Sequence, residues 1–161
     1  MNIFVLKTMG AVALAASAWF FARCLSSRRH AATVQVEGFL SLIRAIRSGV
    51  AHYTPMADIL VRVEKETVMA CSGQSTELRT DSLGAFLTGC VFLSEDTARL
   101  MARVEKELGR GYREEQLILC DSYLAALEEI RKQCVKREGE YRAVVEPLLT
   151  VVAVGAVILL I

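Results

Sequence analysis

The sequence predicts an all-α protein in which a cytoplasmic antiparallel helical bundle is flanked by an N-terminal and a C-terminal transmembrane helix. Hydrophobic residues make up 53% of the 161 residues, above the roughly 45–50% that is usual for soluble domains. The excess lies at the two ends. Between them, apolar residues recur at helical spacing, and no alternating β-branched run is long enough for a strand. We therefore divide the chain into an anchor at residues 1–25, a bundle at residues 26–142 and a second anchor at residues 143–161.

The N-terminal anchor is predicted from a long apolar run at residues 3–22. The polar residues within this run are Lys7, Thr8 and Ser17. Twenty helical residues reach about 30 Å, which is the thickness of the hydrocarbon core of a bilayer. Trp19, Phe20 and Phe21 follow at the far end of the run, where an aromatic belt would meet the lipid headgroups.

A cleavable signal peptide is the alternative interpretation of this segment. Lys7 would be its weak positive region, and Ala16-Ser17-Ala18 has the small residues of a cleavage site. An uncleaved anchor is favoured because the apolar run exceeds the ~7–15 residues of a signal peptide. Positive charge is also stronger after the run than before it, and the cysteine pattern is typical of a reducing compartment.

The C-terminal anchor is predicted from residues 143–161, which are apolar almost to the last residue. As a helix this segment measures about 28 Å, and a globular domain rarely closes on such a tail. Glu146 lies at its entrance. We expect this carboxylate to reach the headgroup region, the alternative being an intramembrane partner for a cation on another subunit.

Basic residues flank both predicted anchors on the side of the bundle. The membrane-flank residues are Arg23, Arg28, Arg29, Arg137 and Arg142. Because positive charge is retained in the cytoplasm, both flanks and the bundle between them are expected to be cytoplasmic. Membrane lipid is therefore a predicted partner.

The first helix of the bundle carries an apolar stripe, which consists of Phe39, Leu42, Ile43, Ile46 and Val50. This spacing is typical of one buried helix face. Arg44 and Arg47 lie off the stripe. We take them as a candidate surface for an acidic partner or for lipid headgroups, the alternative being ordinary exposed arginines.

Three further helical segments follow before the long last helix. Thr54-Pro55 predicts a helix start, with an inward face that includes Ile59 and Leu60. A shorter helix has Leu83, Phe86, Leu87 and Cys90 inward, and Ser94 predicts the N-cap of the next, which Gly109 closes. The last helix begins near Tyr112 and runs toward the second anchor.

Sequence motifs for chemistry are lacking. The five cysteines contain no Cys-x-x-Cys pair, and neither histidine has a glutamate three residues before it, as a di-iron bundle requires. The glutamates stand beside cations at helical spacing, which favours solvated ion pairs. A net charge of +1 gives no reason to expect nucleic acid. We expect no enzyme activity, metal or cofactor; a small thiol-dependent membrane enzyme is the competing hypothesis.

The order of these features resembles the stage III sporulation protein AB family of endospore-forming Firmicutes. The residues that carry the resemblance are Leu6, Lys7 and Gly10 in the first anchor, His52-Tyr53-Thr54-Pro55-Met56 after the first bundle helix, Leu108-Gly109, and Gln116 in the last helix. The domain of this family is similar to the helical domain of the type II secretion F platform protein.

The resemblance implies a non-enzymatic platform component of the mother cell–forespore channel, needed for stage III of sporulation. The implied location is the mother-cell membrane around the forespore, within an oligomeric assembly of stage III sporulation proteins that includes a ring ATPase. A membrane-anchored scaffold or assembly factor unrelated to sporulation is the alternative.

Overall fold

The computed structural model describes residues 3–73, 82–145, 147–151 and 154–155; among these, the side chains of residues 3–8, 11, 14, 15 and 142 are outside the description. Every regular element in the described part is helical, which confirms the all-α class. The elements are α1 (Ile3–Ala51), α2 (Met56–Arg62), α3 (Lys65–Ser72), α4 (Leu83–Thr88), α5 (Glu95–Glu107), α6 (Arg113–Glu140) and a π-helical turn at Tyr141–Val145.

The chain forms two compact units. One comprises Met1–His30 with Val135–Ile161, and the other comprises Ala31–Cys134. Helices α1 and α6 contribute residues to both. We call these the terminal unit and the central unit.

The two segments predicted as transmembrane helices belong to the terminal unit. Within the residues that the structure describes, no helix is both long enough and apolar enough to span a bilayer. The predicted anchors at residues 1–25 and 143–161 lie partly outside the described residues, as does Glu146.

Helix α1 supplies the middle of the core of the central unit. Phe39, Leu42, Ile43 and Ile46 are fully buried, which confirms the predicted stripe, while Val50 is half-buried. They pack with buried residues of the other helices, namely Leu60, Cys71, Phe86, Met101, Val104, Cys120 and Leu127. Each large apolar side chain buried in this way contributes about 1.5–3 kcal/mol to stability.

Ion pairs between α1 and α6 show that the two helices run antiparallel in the central unit. Their partners are Glu37 with Arg131, Arg44 with Glu128, and Arg47 with Asp121. Residue numbers rise along α1 while those of the partners fall along α6. The same order holds inside the terminal unit, where His30 lies 3.6 Å from Glu138.

The connection between α1 and α4 departs from the predicted single helix. Helix α2 ends at Arg62, and Val63 and Glu64 adopt extended ψ angles of 133° and 140° before α3 begins. The N-cap of α2 is Pro55, one residue later than the predicted Thr54, because Pro55 itself has an extended ψ of 144°. No glycine marks the break at Val63, and the break therefore has no local sequence signal.

A buried glutamine fixes these segments to α1. Gln35 is 1% exposed, and its Nε2 atom donates hydrogen bonds to the carbonyl oxygens of Cys71 at 3.0 Å and Val91 at 2.8 Å. Its Oε1 atom accepts from the Leu93 N–H at 2.9 Å. One side chain therefore satisfies three backbone groups that would otherwise lose hydrogen bonds on burial.

Candidate partner-binding surface

The end of helix α1 is closed by a Schellman motif. The Tyr53 N–H donates to the Val50 carbonyl at 3.2 Å, and the Thr54 N–H donates to the Gly49 carbonyl at 2.9 Å. This motif places its C′ residue in the left-handed region, where glycine is usual. Here the residue is Tyr53, with a φ of 57°, and it is the sole non-glycine residue with positive φ in the described part of the chain. A left-handed conformation costs a residue with a Cβ roughly 1–2 kcal/mol.

Arg113, the first residue of α6, supports this strained turn from the side. Its Cζ atom lies 4.8 Å from the centroid of the Tyr53 ring, and its Nη2 atom donates to the Ala51 carbonyl at 3.0 Å. The hydrogen bond satisfies a carbonyl at the C-terminus of α1, and the cation lies where the helix dipole favours it. The end of α1 and the start of α6 are thereby held together.

The turn between α5 and α6 is built on a second glutamine. Gln116 is buried; its Oε1 atom accepts from the Gly109 N–H at 2.8 Å, and its Nε2 atom donates to the Arg110 carbonyl. The Glu115 carboxylate accepts from the Tyr112 N–H at 3.3 Å, which is the N3-to-N-cap half of a capping box. Gly109 has the positive φ expected of the residue that closes α5.

We define the tip as residues 52–53 and 110–113, which the Tyr53–Arg113 contact brings together. Its two tyrosines are the most exposed aromatic side chains of the described central unit, at 77% for Tyr53 and 81% for Tyr112. The charged residues of the tip are Arg110 and Arg113, both exposed. Tyrosine and arginine dominate the energetic centres of protein interfaces, because they combine a large apolar area with hydrogen-bonding groups. The tip therefore has the composition of a docking surface for a protein with acidic groups.

The predicted partner-binding residues Arg44 and Arg47 lie on α1 and face carboxylates of α6. Arg47 binds Asp121 through two hydrogen bonds of 2.6 and 3.1 Å, and Arg44 lies 3.4 Å from Glu128. The hydrogen bond from Arg47 lowers the pKa of Asp121, and the same bond raises the pKa of Arg47. Both arginines are exposed, but an acidic partner at this surface would compete with these carboxylates.

The predicted membrane-flank arginines lie in the terminal unit. Arg23 lies over the Trp19 ring at 5.6 Å, and Arg29 lies over the Tyr141 ring at 4.2 Å. The Nη1 atom of Arg29 also donates to the Arg137 carbonyl at 3.3 Å. Arg28, another of the predicted membrane-flank arginines, is also exposed. The side chain of Arg142 lies outside the described residues.

The cysteines bear on the competing hypothesis of a thiol enzyme. Cys71, Cys90 and Cys120 are buried. Burial raises the pKa of the Cys71 thiol well above its usual range and raises the pKa of Cys90 and of Cys120 to about 11. These three thiols are therefore protonated at neutral pH and act as small apolar core residues. Across the described residues, no group of three or more His, Cys, Asp or Glu side chains is placed to hold a metal ion.

No sequence motif predicts a site at the tip. His52–Met56 is part of the family resemblance, and Gly109 is predicted as the residue that closes a helix. The sequence does place a tyrosine beside each of the two helix ends, Tyr53 after α1 and Tyr112 before α6. The partnership of Tyr53 with Arg113, 60 residues further along the chain, could not be inferred from spacing.

Comparison with known proteins does not assign the chain to a family. No protein-family model matches it, and neither the curated proteins nor the solved structures compared with it give a match.

Proposed function

We propose that this protein is a non-enzymatic platform component of the mother cell–forespore channel assembly, tethered to the membrane by residues 1–25 and 143–161. In this proposal the central unit is cytoplasmic and its tip docks the cognate ring ATPase. The observation that carries the docking role is Tyr53, whose side chain is 77% exposed, whose backbone is left-handed and whose ring contacts Arg113. Strain of this kind persists at sites where function requires a particular side chain.

Two features support the wider assignment. The motif residues of the resemblance lie at structural junctions, since His52–Pro55 forms the α1–α2 connection, Met56 begins α2 and Leu108-Gly109 closes α5. Gln116, which the resemblance also includes, shapes the α5–α6 turn. One segment of the tip, residues 52–53, therefore lies within a motif of the resemblance, and the other, residues 110–113, lies between Leu108-Gly109 and Gln116. Burial of the thiols of Cys71, Cys90 and Cys120 supports a structural role for these three cysteines.

Binding of the full chain in lipid nanodiscs to the purified ring ATPase of the same gene cluster tests the docking role. We expect Tyr53→Ala and Tyr112→Ala each to weaken binding by tenfold or more, as is typical of aromatic hot spots. Met69→Ala is the matched control, because Met69 is 67% exposed in the central unit and lies on α3. It should change the dissociation constant less than twofold.

The outcomes separate the competing hypotheses. Loss of binding in Arg44→Ala and Arg47→Ala, with the tip variants unaffected, would move the docking surface to the face predicted from sequence. Absence of binding by the wild-type chain would remove the platform role and leave a scaffold unrelated to sporulation. Location of the gene outside a stage III sporulation cluster would favour the same alternative.

Topology needs its own measurement. A reporter inserted after Gly73 should be cytoplasmic, because along the chain the basic residues lie between each predicted anchor and the central unit. An extracytoplasmic reporter would contradict the orientation, and extraction of the full chain from membranes by alkaline carbonate would contradict the anchors.

A further inference from the structure

The terminal unit carries a concentration of positive charge, which we call the basic collar and define as Arg23, Arg28, Arg29, Lys136 and Arg137. All five side chains are exposed. The two helices that carry them are adjacent at this level, because Arg29 donates to the Arg137 carbonyl at 3.3 Å. The collar is therefore one surface on two helices.

Cations outnumber carboxylates in the two segments that carry the collar. Residues 22–30 and 135–141 contain these five cations and two carboxylates, Glu138 and Glu140. Glu138 is turned toward His30, with 15% of its side chain exposed, and Glu140 lies 3.9 Å from Lys136. The remaining excess of like charge on adjacent helices is unfavourable by itself and is relieved by a bound anion.

Aromatic rings position two of the guanidinium groups. The buried Tyr141 ring lies under Arg29, and its hydroxyl donates to the Ala22 carbonyl at 3.5 Å, which ties the same ring to α1. Arg23 stacks over Trp19. Stacking occupies the face of a guanidinium, and its N–H groups lie in the plane, where they match the oxygens of a phosphate in a fork geometry.

The neighbouring apolar residues indicate which anion is involved. Trp19, Phe20 and Phe21 are 60–70% exposed and lie two to four residues before Arg23 along α1. An exposed aromatic belt followed by clustered arginines matches the order of hydrocarbon, interface and headgroup in a bilayer. A small soluble phosphate compound would leave the aromatic side chains uncovered.

We infer that the basic collar selects anionic phospholipids, so that the protein gathers phosphatidylglycerol-type headgroups around these five side chains. This inference rests on the proposed membrane attachment and adds a lipid preference to it. Each collar cation is expected to enrich an anionic lipid beside it by roughly fivefold at moderate ionic strength. The preference should decline as salt screens the charges.

Trp19 provides the probe, because it is the one tryptophan of the chain. The full chain is reconstituted in phosphatidylcholine vesicles that contain a small, equal fraction of acyl-brominated lipid with either a phosphatidylglycerol or a phosphatidylcholine headgroup. Bromine quenches tryptophan fluorescence on contact. We expect the brominated phosphatidylglycerol to quench Trp19 at least twice as strongly as the brominated phosphatidylcholine.

The double variant R28Q/R137Q should reduce this ratio toward one while leaving the Arg23–Trp19 and Arg29–Tyr141 contacts in place. The matched control is K65Q/K106Q, which removes the same charge from exposed positions of the central unit and should leave the ratio unchanged. A ratio unchanged in R28Q/R137Q would overturn the assignment to the collar.

Two outcomes of the quenching experiment distinguish a missing lipid preference from a missing membrane attachment. Equal quenching by the two brominated lipids would overturn the lipid selectivity and leave membrane attachment intact. Absence of quenching by either lipid would place Trp19 outside the bilayer and overturn both the attachment and the selectivity.

Discussion

Arg113 and Tyr53 form a cation–π pair at the tip, with the Arg113 Cζ atom 4.8 Å from the centroid of the Tyr53 ring. The pair joins the first residue of α6 to the residue that closes α1, and the hydrogen bond from Arg113 to the Ala51 carbonyl strengthens the same junction. A cation–π contact at an exposed site contributes about 0.5–1 kcal/mol, which offsets part of the cost of the left-handed backbone at Tyr53.

Replacement of Tyr53 by glycine and by alanine should therefore have different effects on the free energy of unfolding. Tyr53→Ala loses the ring and keeps the steric cost, whereas Tyr53→Gly loses both. We expect the free energy of unfolding of Tyr53→Gly to exceed that of Tyr53→Ala by about 1 kcal/mol, measured by urea titration followed by circular dichroism. At Met69, inside α3, the order should reverse, because glycine is about 1 kcal/mol worse than alanine in a helix. The same order at both positions would argue against strain at Tyr53.

Gln35 should be among the most sensitive polar residues of the central unit. Gln35→Ala leaves the Cys71 and Val91 carbonyls and the Leu93 N–H without their partner in a buried setting. Each unsatisfied group costs about 1–3 kcal/mol, so for three groups we expect a loss of at least about 3 kcal/mol in the free energy of unfolding. Gln133→Ala, at an exposed position of α6, is the control and should change it by less than about 0.5 kcal/mol.

The conservative variant Gln35→Glu separates hydrogen bonding from packing. Its carboxylate accepts from Leu93 but presents a second negative oxygen to the two carbonyls. We expect Gln35→Glu to be at least as destabilising as Gln35→Ala near neutral pH. A mild effect of the glutamate variant would show that side-chain volume, and not donation to the carbonyls, is what position 35 requires.

The sequence-based predictions succeeded where a pattern is local. The stripe from Phe39 to Ile46 is visible from spacing alone, because a 3.6-residue period directly marks one helix face. Gln35 has no such signature; its three partners lie 36–58 residues away, and its hydropathy is that of a surface residue. Arg44 and Arg47 lie on the polar side as predicted, but their pairing with α6 depends on a helix register that composition does not encode.

Gly38 tests the close approach of α1 and α3. A Cβ atom at this position would lie 2.7 Å from the Ala70 Cβ and 2.9 Å from the Cys71 backbone nitrogen. Helix propensity alone predicts that Gly38→Ala stabilises the protein by about 1 kcal/mol. Because the added methyl group overpacks the contact with α3, we expect Gly38→Ala to destabilise the protein instead. The free energy of unfolding, measured by urea titration, should fall by about 1–3 kcal/mol.

Gly139 provides the matched comparison for Gly38, because it is also helical and a Cβ there would meet no atom within 4 Å. Gly139→Ala should be neutral or stabilising by up to about 1 kcal/mol. The Ala70→Gly change should recover part of the loss in the Gly38→Ala background, since it removes one of the two clashes. Similar effects of Gly38→Ala and Gly139→Ala would contradict the close packing of α1 on α3.

Alkaline pH should destabilise the central unit through its buried acids. The Tyr123 hydroxyl donates to the Glu107 carboxylate, and burial together with this bond raises the pKa of Tyr123 to about 12. Burial raises the pKa of Cys90 and Cys120 to about 11. In the unfolded chain these groups lose their protons at lower pH than in the folded protein. Their contribution to stability is therefore full below about pH 8.5 and is lost as the pH rises toward about 12.

The slope of the free energy of unfolding against pH shows whether Tyr123 is responsible for the loss of stability. Between pH 10 and 12, a tyrosine that stays protonated only when folded lowers the free energy of unfolding by about 1.4 kcal/mol per pH unit. Tyr123→Phe should remove that part of the slope, at a cost of about 1 kcal/mol at neutral pH for the lost hydrogen bond. Tyr112→Phe, at an exposed position of the tip, should leave the slope as in the wild type. An unaltered slope in Tyr123→Phe would mean that Tyr123 ionises alike in the folded and unfolded chains, and that its contact with Glu107 does not hold the proton.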